Sequence, residues 1–210
     1  MPSLEILLAF FVMTALFSFI PGPGMLYAAA RTMAGGRRSG LMAVLGMHLG
    51  CYVHIAAAAA GLSVLFHAVP LLYMAVKLAG AAYLIWLGIS LFRSNDASVA
   101  DLSGIAPKSG RRAFAESVTV EVLNPKTAIF FMAFLPQFID PAAAFPVWVQ
   151  LAMLGVVVNL LFSFSDIVCV VLAGFVMSRL KRSSCVQRWV QRAGGAILVG
   201  LGTHLALQKT

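Results

Sequence analysis

Six long apolar stretches fill almost the whole chain and leave little sequence for anything else. They run at about residues 4–30, 41–66, 70–92, 113–137, 147–177 and 193–207. A helix needs about 20 apolar residues to cross the hydrocarbon core of a bilayer. Of the 210 residues only 10% are charged and 61% are hydrophobic, so the chain lacks the polar surface of a soluble globule. The sequence therefore predicts an all-α integral membrane protein with six transmembrane helices.

Basic residues are concentrated in three of the five loops between these stretches. Twelve of the fifteen lie there, whereas the other two loops, 67–70 and 138–146, contain none. The twelve are Arg31, Arg37, Arg38, Arg93, Lys108, Arg111, Arg112, Arg179, Lys181, Arg182, Arg188 and Arg192. Loops rich in Lys and Arg stay in the cytoplasm, so both termini are expected on the external side. Because the membrane orientation accounts for the excess of Lys and Arg, the sequence predicts no nucleic-acid-binding face.

The six stretches divide into two sets of three around the polar segment RSNDASVADLSGIAPKSGRR. Because three is odd, the second set enters from the opposite side of the membrane. The sequence thus predicts two inverted three-helix repeats, 1–92 and 113–210, joined by a cytoplasmic linker at 93–112 within one membrane domain. The first stretch of each repeat contains a helix-breaking motif, PGPG at 21–24 and NPK at 124–126. Helices 1 and 4 are therefore expected to be broken at matching places.

Each break has the chemistry of a helix start. Proline interrupts a helix but is favoured at its first position. Asn124 precedes Pro125 and is predicted to cap a new half-helix with its side chain, whereas Gly22 precedes Pro23 and offers no such cap. In hydrocarbon the free N–H groups of each start need a partner, which an anionic ligand can supply. A structural kink explains either break alone, but two paired breaks favour a transport site.

The expected depths of the two breaks agree only in part. Twelve residues separate Arg112 from Asn124, about 18 Å of helix, which places the second break near the middle of the bilayer. Eight residues separate Pro23 from Arg31, about 12 Å of helix. The first break is therefore expected nearer the cytoplasm.

Other polar residues in the apolar stretches are expected to face the same interior. Asn159, Ser163 and Asp166 are spaced by four and three residues, so they share one helical face. A carboxylate near the bilayer centre costs about 2.5 kcal/mol or more, so Asp166 should be paired, protonated or wetted. Its alternative role is an interhelical hydrogen bond. Glu121 lies about one turn before the second break, which makes it the better functional candidate.

The remaining polar residues favour packing over chemistry. Lys77 is near enough to the outer end of its helix to snorkel to the interface, and Lys126 is less able to do so. His48 and His54 lie six residues apart on different helix faces, which argues against a shared metal site. The GxxxG motif at 46–50 indicates close helix packing. The three cysteines show no pairing or metal-binding pattern, so neither a cofactor nor a metal is expected.

Three stretches of the chain resemble one known family. PGPGMLYAAARTMAGGRRSGLMAVLGMHLG, KLAGAAYLIWLG and LNPKTAIFFMAFLPQFI are similar, in order and spacing, to segments of the lysine exporter (LysE/RhtB) superfamily, in its homoserine and threonine resistance branch. The resemblance covers nearly the whole chain. It implies a bacterial inner-membrane protein of six helices that exports small amino acids or their derivatives, driven by the proton motive force. Many relatives carry an acid after the second GxxxG glycine, where this chain has Cys51.

The resemblance and the chemistry of the breaks together give one hypothesis for the transport site. The half-helix starts and Lys126 suit the carboxylate of a small zwitterionic amino acid with a neutral or hydroxylated side chain. Glu121 or Asp166 suits its ammonium group, and proton uptake by that acid would weaken the hold on the substrate. The candidate substrate-binding residues are Pro21, Gly22, Pro23, Gly24, Glu121, Asn124, Pro125, Lys126, Asn159 and Asp166.

Other functional classes fit less well. A divalent-metal exporter of related architecture is the alternative, although the His, Asp and Glu residues that it needs are scattered. A membrane redox carrier needs a cysteine pair near the breaks, and positions 18–26 and 119–128 contain no cysteine. The chain lacks a nucleophile–base signature, so a transporter and not an enzyme is expected. The expected partners are the substrate, protons and membrane lipids, and homo-oligomerisation is left open.

Overall fold

The computed structural model describes residues 2–62 and 109–182, with side chains up to 173, together with helical positions within 74–89 and 192–207. Every regular element in these ranges is a helix, which confirms the all-α class. The predicted spans at 70–92 and 193–207 are described only at scattered positions. Lys77, the linker up to residue 108 and the side chains of the basic loop from Arg179 to Arg188 lie outside the described residues.

Five α-helices occupy the two continuously described ranges. They are α1 (Leu4–Ser18), α2 (Pro23–Ala57), α3 (Gly110–Val122), α4 (Pro125–Ile129) and α5 (Val147–Arg182). A π-helical turn, Ala58–Leu62, extends α2, and α4 continues through a π-helical turn, Phe130–Phe134, and a 3₁₀ turn, Leu135–Phe138. By length and hydropathy, Pro23–Gly61 and Val147–Ala173 each contain a candidate membrane span, and α3 with Pro125–Phe138 forms a third candidate span, bent by 41°.

Helix α2 folds back on itself at Gly36. The backbone there has φ 75° and ψ 176°, a conformation open to glycine and strained for other residues. On either side of this turn a methyl group at Gly40 would collide with Thr32, and one at Gly24 would lie 3.0 Å from the sulfur of Met47. Such contacts require a hairpin. Helix α2 therefore consists of a first arm, 23–35, and a second arm, 37–57, that pack side by side.

This hairpin corrects the predicted first loop. The sequence suggested an open loop between apolar stretches at 31–40, but helix continues to 35 and resumes at 37. A single positive-φ glycine makes the whole turn, so no longer loop is needed. Arg31, expected in the loop, is a helical residue with 3% of its surface exposed.

The GxxxG motif packs the second arm of α2 tightly against α3. A methyl group at Gly50 would lie 2.8 Å from the carbonyl oxygen of Val118 and 3.0 Å from Cβ of Glu121. One at Gly46 would collide with the Phe114 carbonyl and the Ser117 hydroxyl. The predicted packing role is confirmed: two missing side chains let the backbones approach closely and bring Glu121 up to α2.

Aromatic rings fill the space between α1, the segment after α4, and α5. Phe130 lies with its ring centroid 4.7 Å from Phe17 and 4.7 Å from Phe134, and Phe162 of α5 lies 5.4 Å from Phe130. Such pairs each add about 0.5–1.5 kcal/mol beyond the burial of their area. Large apolar side chains such as Phe11, Leu45 and Leu160 instead point outwards and are about half exposed, as suits a surface in contact with lipid tails.

Candidate functional site

The two helix breaks meet. The ammonium group of Lys126, in the second break, donates a hydrogen bond to the backbone carbonyl of Ile20, in the first. The Lys126 side chain lies so close to Gly22 that a methyl group there would be 2.6 Å from Cδ. Likewise a methyl group at Gly24 would be 3.2 Å from the Glu121 carboxylate. The glycines of PGPG therefore give the second break room to approach the first.

The contact between the breaks corrects the expectation that the first lies nearer the cytoplasm. The first arm of α2 runs to residue 35, so 12 residues and about 18 Å of helix follow Pro23. The same length separates Arg112 from Asn124. The earlier estimate was wrong because it placed the helix end at Arg31, which is buried within the helix.

The second break is closed by its own polar side chains. As predicted, Asn124 caps the new half-helix: its Oδ1 accepts a hydrogen bond from the N–H of Lys126 at 3.1 Å. Its Nδ2 donates to one oxygen of Glu121 at 3.0 Å, and the hydroxyl of Thr127 donates to the other at 2.8 Å. Glu121 thus holds both sides of the break together through a carboxylate that is almost fully buried.

Pro125 leaves a carbonyl without its usual helical partner, and His54 supplies one. In an unbroken helix the oxygen of Glu121 would accept from the N–H of residue 125, which proline lacks. The N–H of Asn124 donates to this oxygen at 3.0 Å, and Nε2 of His54 lies 2.9 Å from it. A carbonyl only accepts, so Nε2 carries the proton in this contact. His54 also stacks on Phe131, with centroids 5.9 Å apart.

The ammonium group of Lys126 stays inside the protein. Only 7% of the residue is exposed, so Lys126 does not snorkel to an interface. Its Nζ lies 4.8 Å from the ring centroid of Phe17 and 5.5 Å from that of Phe162. Aromatic faces attract a cation by about 2 kcal/mol when water is excluded, which offsets part of the cost of burial. The buried charge is thus held by two rings and one carbonyl oxygen.

Helix α5 presents its predicted polar face to α2. Asn159, 1% exposed, donates from Nδ2 to the His48 carbonyl at 3.1 Å. Nδ1 of His48 and the hydroxyl of Ser163 are 2.7 Å apart. One further hydroxyl, that of Ser165, donates to the Ser18 carbonyl at the end of α1. These bonds give His48 a hydrogen-bonding role, and they tie α5 to the helices on both sides of the first break.

One cavity collects most of the predicted site residues. Gly22, Gly24, Glu121, Asn124, Lys126, Asn159 and Asp166 all line it. The three prolines of the two motifs, Pro21, Pro23 and Pro125, are not among its described lining residues; they set where helices end and begin. The cavity measures about 30 Å³, room for about two waters. Two acids and one lysine therefore face a space too small for an amino acid in this conformation.

Several lining or supporting residues were missed from sequence. Thr127, His48 and Met47 line the cavity, and His54 supports it through the Glu121 carbonyl. A signal for His54 was present: it follows the GxxxG motif by four residues, so it continues the glycine stripe that faces α3. Thr127 sits two residues into the half-helix, where a hydroxyl can reach back across a break. The Ile20 carbonyl has no sequence signal.

Two of the three cysteines lie among the described residues. Cys51 lines it and is 2% exposed, while Cys169 is partly buried; both are free thiols. Cys185 lies outside the described residues. Within the described part of the chain, no three His, Cys, Asp or Glu side chains come together as metal ligands would.

Comparison with known proteins places this geometry in context. The family model described as LysE type translocator matches residues 15–209. A homoserine/homoserine lactone efflux protein of Salmonella typhimurium is 36% identical over 149 residues, 70% of each chain. A leucine efflux protein of Klebsiella pneumoniae is 28% identical over 95% of this chain and 93% of its own, and a threonine efflux protein of Escherichia coli is 27% identical over 90% and 91%. No solved structure matches the chain significantly.

Proposed function

Since the chain belongs to the LysE type translocator family, a family of transporters and not of enzymes, we propose that it exports small zwitterionic amino acids with neutral or hydroxylated side chains, such as homoserine or threonine. Membership in the family confirms the resemblance found in the sequence. The names of the relatives support amino-acid efflux, and two of the three name hydroxylated substrates.

The observation that carries the proposal is the meeting of the two breaks at one cavity of mixed charge. Lys126 and the N–H groups of two helix starts are suited to a carboxylate. Glu121 and Asp166 line the same cavity and are suited to an ammonium group. An α-amino acid carries both charges a few ångströms apart, so it matches both sides of the cavity at once.

Binding requires the breaks to separate. Lys126 now uses the Ile20 carbonyl as its partner, and the cavity holds about two waters. A substrate carboxylate would replace that carbonyl as the acceptor, so the lysine would always keep a partner in an apolar surrounding. When the substrate carboxylate replaces the Ile20 carbonyl as the acceptor of Lys126, α1 and the first arm of α2 are free to move away from α4. Substrate entry is thereby linked to the separation of the breaks.

Proton coupling follows from the number of charges in the cavity. Two carboxylates and one ammonium group leave one net negative charge, so the empty site favours taking up one further positive charge. Either a proton or the ammonium group of the substrate supplies it. The two would compete for Glu121 or Asp166, so protons entering from outside would displace the substrate and drive its export.

The proposed architecture extends the described helices to six spans in two inverted repeats, 1–92 and 113–210, linked by 93–112. The repeats would rock about the cavity. The protein would lie in the bacterial inner membrane with both termini outside, as the distribution of Lys and Arg predicts. A cysteine introduced at Ser98 should resist an impermeant thiol reagent added to intact cells. Labelling there without lysis would contradict this orientation.

Counterflow in proteoliposomes tests the function. Vesicles loaded with one unlabelled amino acid should accumulate its labelled form, and a panel of amino acids identifies the substrate. The amino-acid amide and the N-acetyl amino acid should each compete poorly, because each lacks one of the two charges. Equal competition by the amide would exclude a carboxylate held by Lys126. Competition by a divalent metal, with none by amino acids, would contradict the proposal.

A further inference from the structure

A second cleft lies at the hairpin turn of α2, where it meets the start of α3. It measures about 350 Å³ and is more than ten times larger than the cavity between the breaks. Its described lining residues are Gly35, Arg38, Ser39, Met42, Gly110 and Arg111. Two of the basic loops of the sequence thus come together at one end of the protein, with the first turns of two helical segments facing one cleft.

Both helical segments begin at this cleft. The positive φ of Gly36 interrupts α2, so the first N–H groups of the second arm have no helical acceptor before them. At the start of α3 the Ser109 side chain accepts a hydrogen bond from the N–H of Arg112, at 3.4 Å. The N–H groups of Gly110 and Arg111 are the first of α3 and likewise precede any helical acceptor. Two partial positive charges therefore converge on the cleft.

Ser39 adds a buried hydroxyl that makes no hydrogen bond to the described residues. Only 5% of Ser39 is exposed, and its Oγ has no hydrogen-bond partner among the described residues. Other hydroxyls in these helices bond back to a carbonyl one turn earlier: Thr32 reaches Ala28 at 2.7 Å and Ser117 reaches Phe114 at 2.7 Å. Ser39 lies in the first turn after Gly36, where that carbonyl is out of helical position. A buried hydroxyl without a partner is unfavourable, and a ligand that forms a hydrogen bond with it would remove that cost.

The two arginines that line the cleft lie beside two other arginines that already have hydrogen-bond partners. Arg112 forms an ion pair with Glu116 at 2.9 Å, and Arg37 donates to the carbonyl of Val171 at 3.3 Å. Arg38 and Arg111 both line the cleft and are exposed, and no acid is among the described lining residues. Two guanidinium groups, two helix starts and one hydroxyl form the donor set that phosphate groups bind in proteins.

We propose that this cleft binds a phosphate group, either as free inorganic phosphate or as the headgroup of an anionic phospholipid. The hydroxyl of Ser39 and the N–H groups of the helix starts would contact the phosphate oxygens, and Arg38 and Arg111 would close over them. The volume exceeds that of phosphate alone and leaves room for the glycerol of a headgroup. This site is separate from the cavity between the breaks and does not depend on the transported substrate.

Binding to delipidated, purified protein tests the proposal. Inorganic phosphate is titrated by calorimetry, and phosphatidylglycerol is titrated in mixed micelles, with phosphatidylcholine as the neutral lipid, and counted by native mass spectrometry. The paired change Arg38→Gln and Arg111→Gln should raise Kd about tenfold or more, and Ser39→Ala about threefold. Arg37→Gln removes one positive charge beside the cleft at a residue that does not line it, and should change Kd less than twofold.

The two ligands distinguish the source of the phosphate. Saturable binding of inorganic phosphate that is lost in the variants identifies a free anion. Binding of phosphatidylglycerol alone, lost in the same variants, identifies a lipid headgroup. The proposal is overturned if the wild-type protein binds neither ligand above the level of phosphatidylcholine, or if Ser39→Ala and the double variant bind as Arg37→Gln does.

Discussion

Lys126 of the second break donates a hydrogen bond to the carbonyl of Ile20 at the first, and so joins the two halves of the described structure. Ile20 lies just after α1, where the chain leaves helical conformation before Pro23. One buried cation therefore holds the end of one broken helix against the start of the other. The same ammonium group is the proposed partner of the substrate carboxylate. The bond from Lys126 to Ile20 therefore closes the empty cavity and keeps the charge of Lys126 inside it.

Replacement of Lys126 separates these two roles. Lys126→Met removes charge and donor, so the buried Ile20 carbonyl loses its partner and the free energy of unfolding should fall by about 1–3 kcal/mol. Lys126→Gln keeps a donor without the charge and should recover part of that stability. Both variants should lose counterflow. Thermal unfolding in detergent and counterflow in proteoliposomes measure the two effects, and wild-type transport by Lys126→Gln would show that the charge is dispensable.

A methyl group at Gly22 should act on the same lysine. The backbone of Gly22 has φ −135°, which alanine adopts freely, so any effect of Gly22→Ala comes from crowding. The new methyl group would push the Lys126 side chain off the Ile20 carbonyl, and transport should fall while insertion is kept. Gly61→Ala is the matched control, because no atom of the described residues lies within 4 Å of its new methyl group. Equal transport rates in the two variants would contradict the expected crowding.

Local chemistry explains which features could be predicted from the sequence. The Asn124 cap, the helix start at Pro125 and the shared face of Asn159 and Asp166 depend on neighbours a few residues away, and all three are found in the structure. The GxxxG packing is likewise local to one helix. These features follow from backbone geometry and side-chain spacing, so a single sequence contains them.

Long-range contacts explain what the sequence could not predict. Gly35 and Gly36 are both glycines, and nothing local indicates that Gly36 alone would make a complete hairpin turn. That turn lengthens the first arm of α2 and brings the two breaks to the same depth. The depth expected for the first break was therefore wrong because an open loop was predicted at 31–40. The bond from Lys126 to Ile20 spans 106 residues and ends on a backbone carbonyl, which any residue type provides.

Pro125→Ala tests the need for the second break. Alanine supplies the N–H that proline lacks, so a helical bond to the Glu121 carbonyl becomes available and the 41° bend can relax. Straightening would move Lys126 away from Ile20 and open the closed network of Asn124 and Glu121. Transport should be abolished while the variant still inserts, as judged by membrane yield and size-exclusion chromatography. Efflux at the wild-type rate from a well-inserted variant would reduce the break to an incidental kink.

Cys51 reports whether substrate occupies the cavity. It lines the cavity but is 2% exposed, so a thiol reagent reaches it when the breaks separate. In a chain with Cys169 and Cys185 changed to Ala, maleimide should label Cys51 and block counterflow. Substrate at ten times Kd should slow labelling about tenfold, because about one site in eleven is then empty. Labelling at the same rate with and without substrate would place the binding site elsewhere. Cys51→Ala controls for reaction at other groups.

A double-mutant cycle between His54 and Pro125 tests how the freed carbonyl is satisfied. His54→Ala in the wild-type chain removes the donor that lies 2.9 Å from the Glu121 oxygen, and should lower the free energy of unfolding by about 1–3 kcal/mol. In Pro125→Ala the new N–H serves the same oxygen, so the same change should cost less, with a coupling of about 0.5–2 kcal/mol.

The cycle isolates the hydrogen bond from the packing of the ring. Where Phe131 keeps its place against His54 in Pro125→Ala, the loss of their stacking occurs in both backgrounds and cancels in the difference. Thermal unfolding of the four proteins in one detergent provides the measurement, and His48→Ala, which removes a histidine bonded to Ser163 instead, is the matched control. His48→Ala should show no coupling to Pro125. If His54→Ala costs the same with proline and with alanine at 125, then His54 stabilises the protein by packing, and backbone N–H groups satisfy the carbonyl freed by proline.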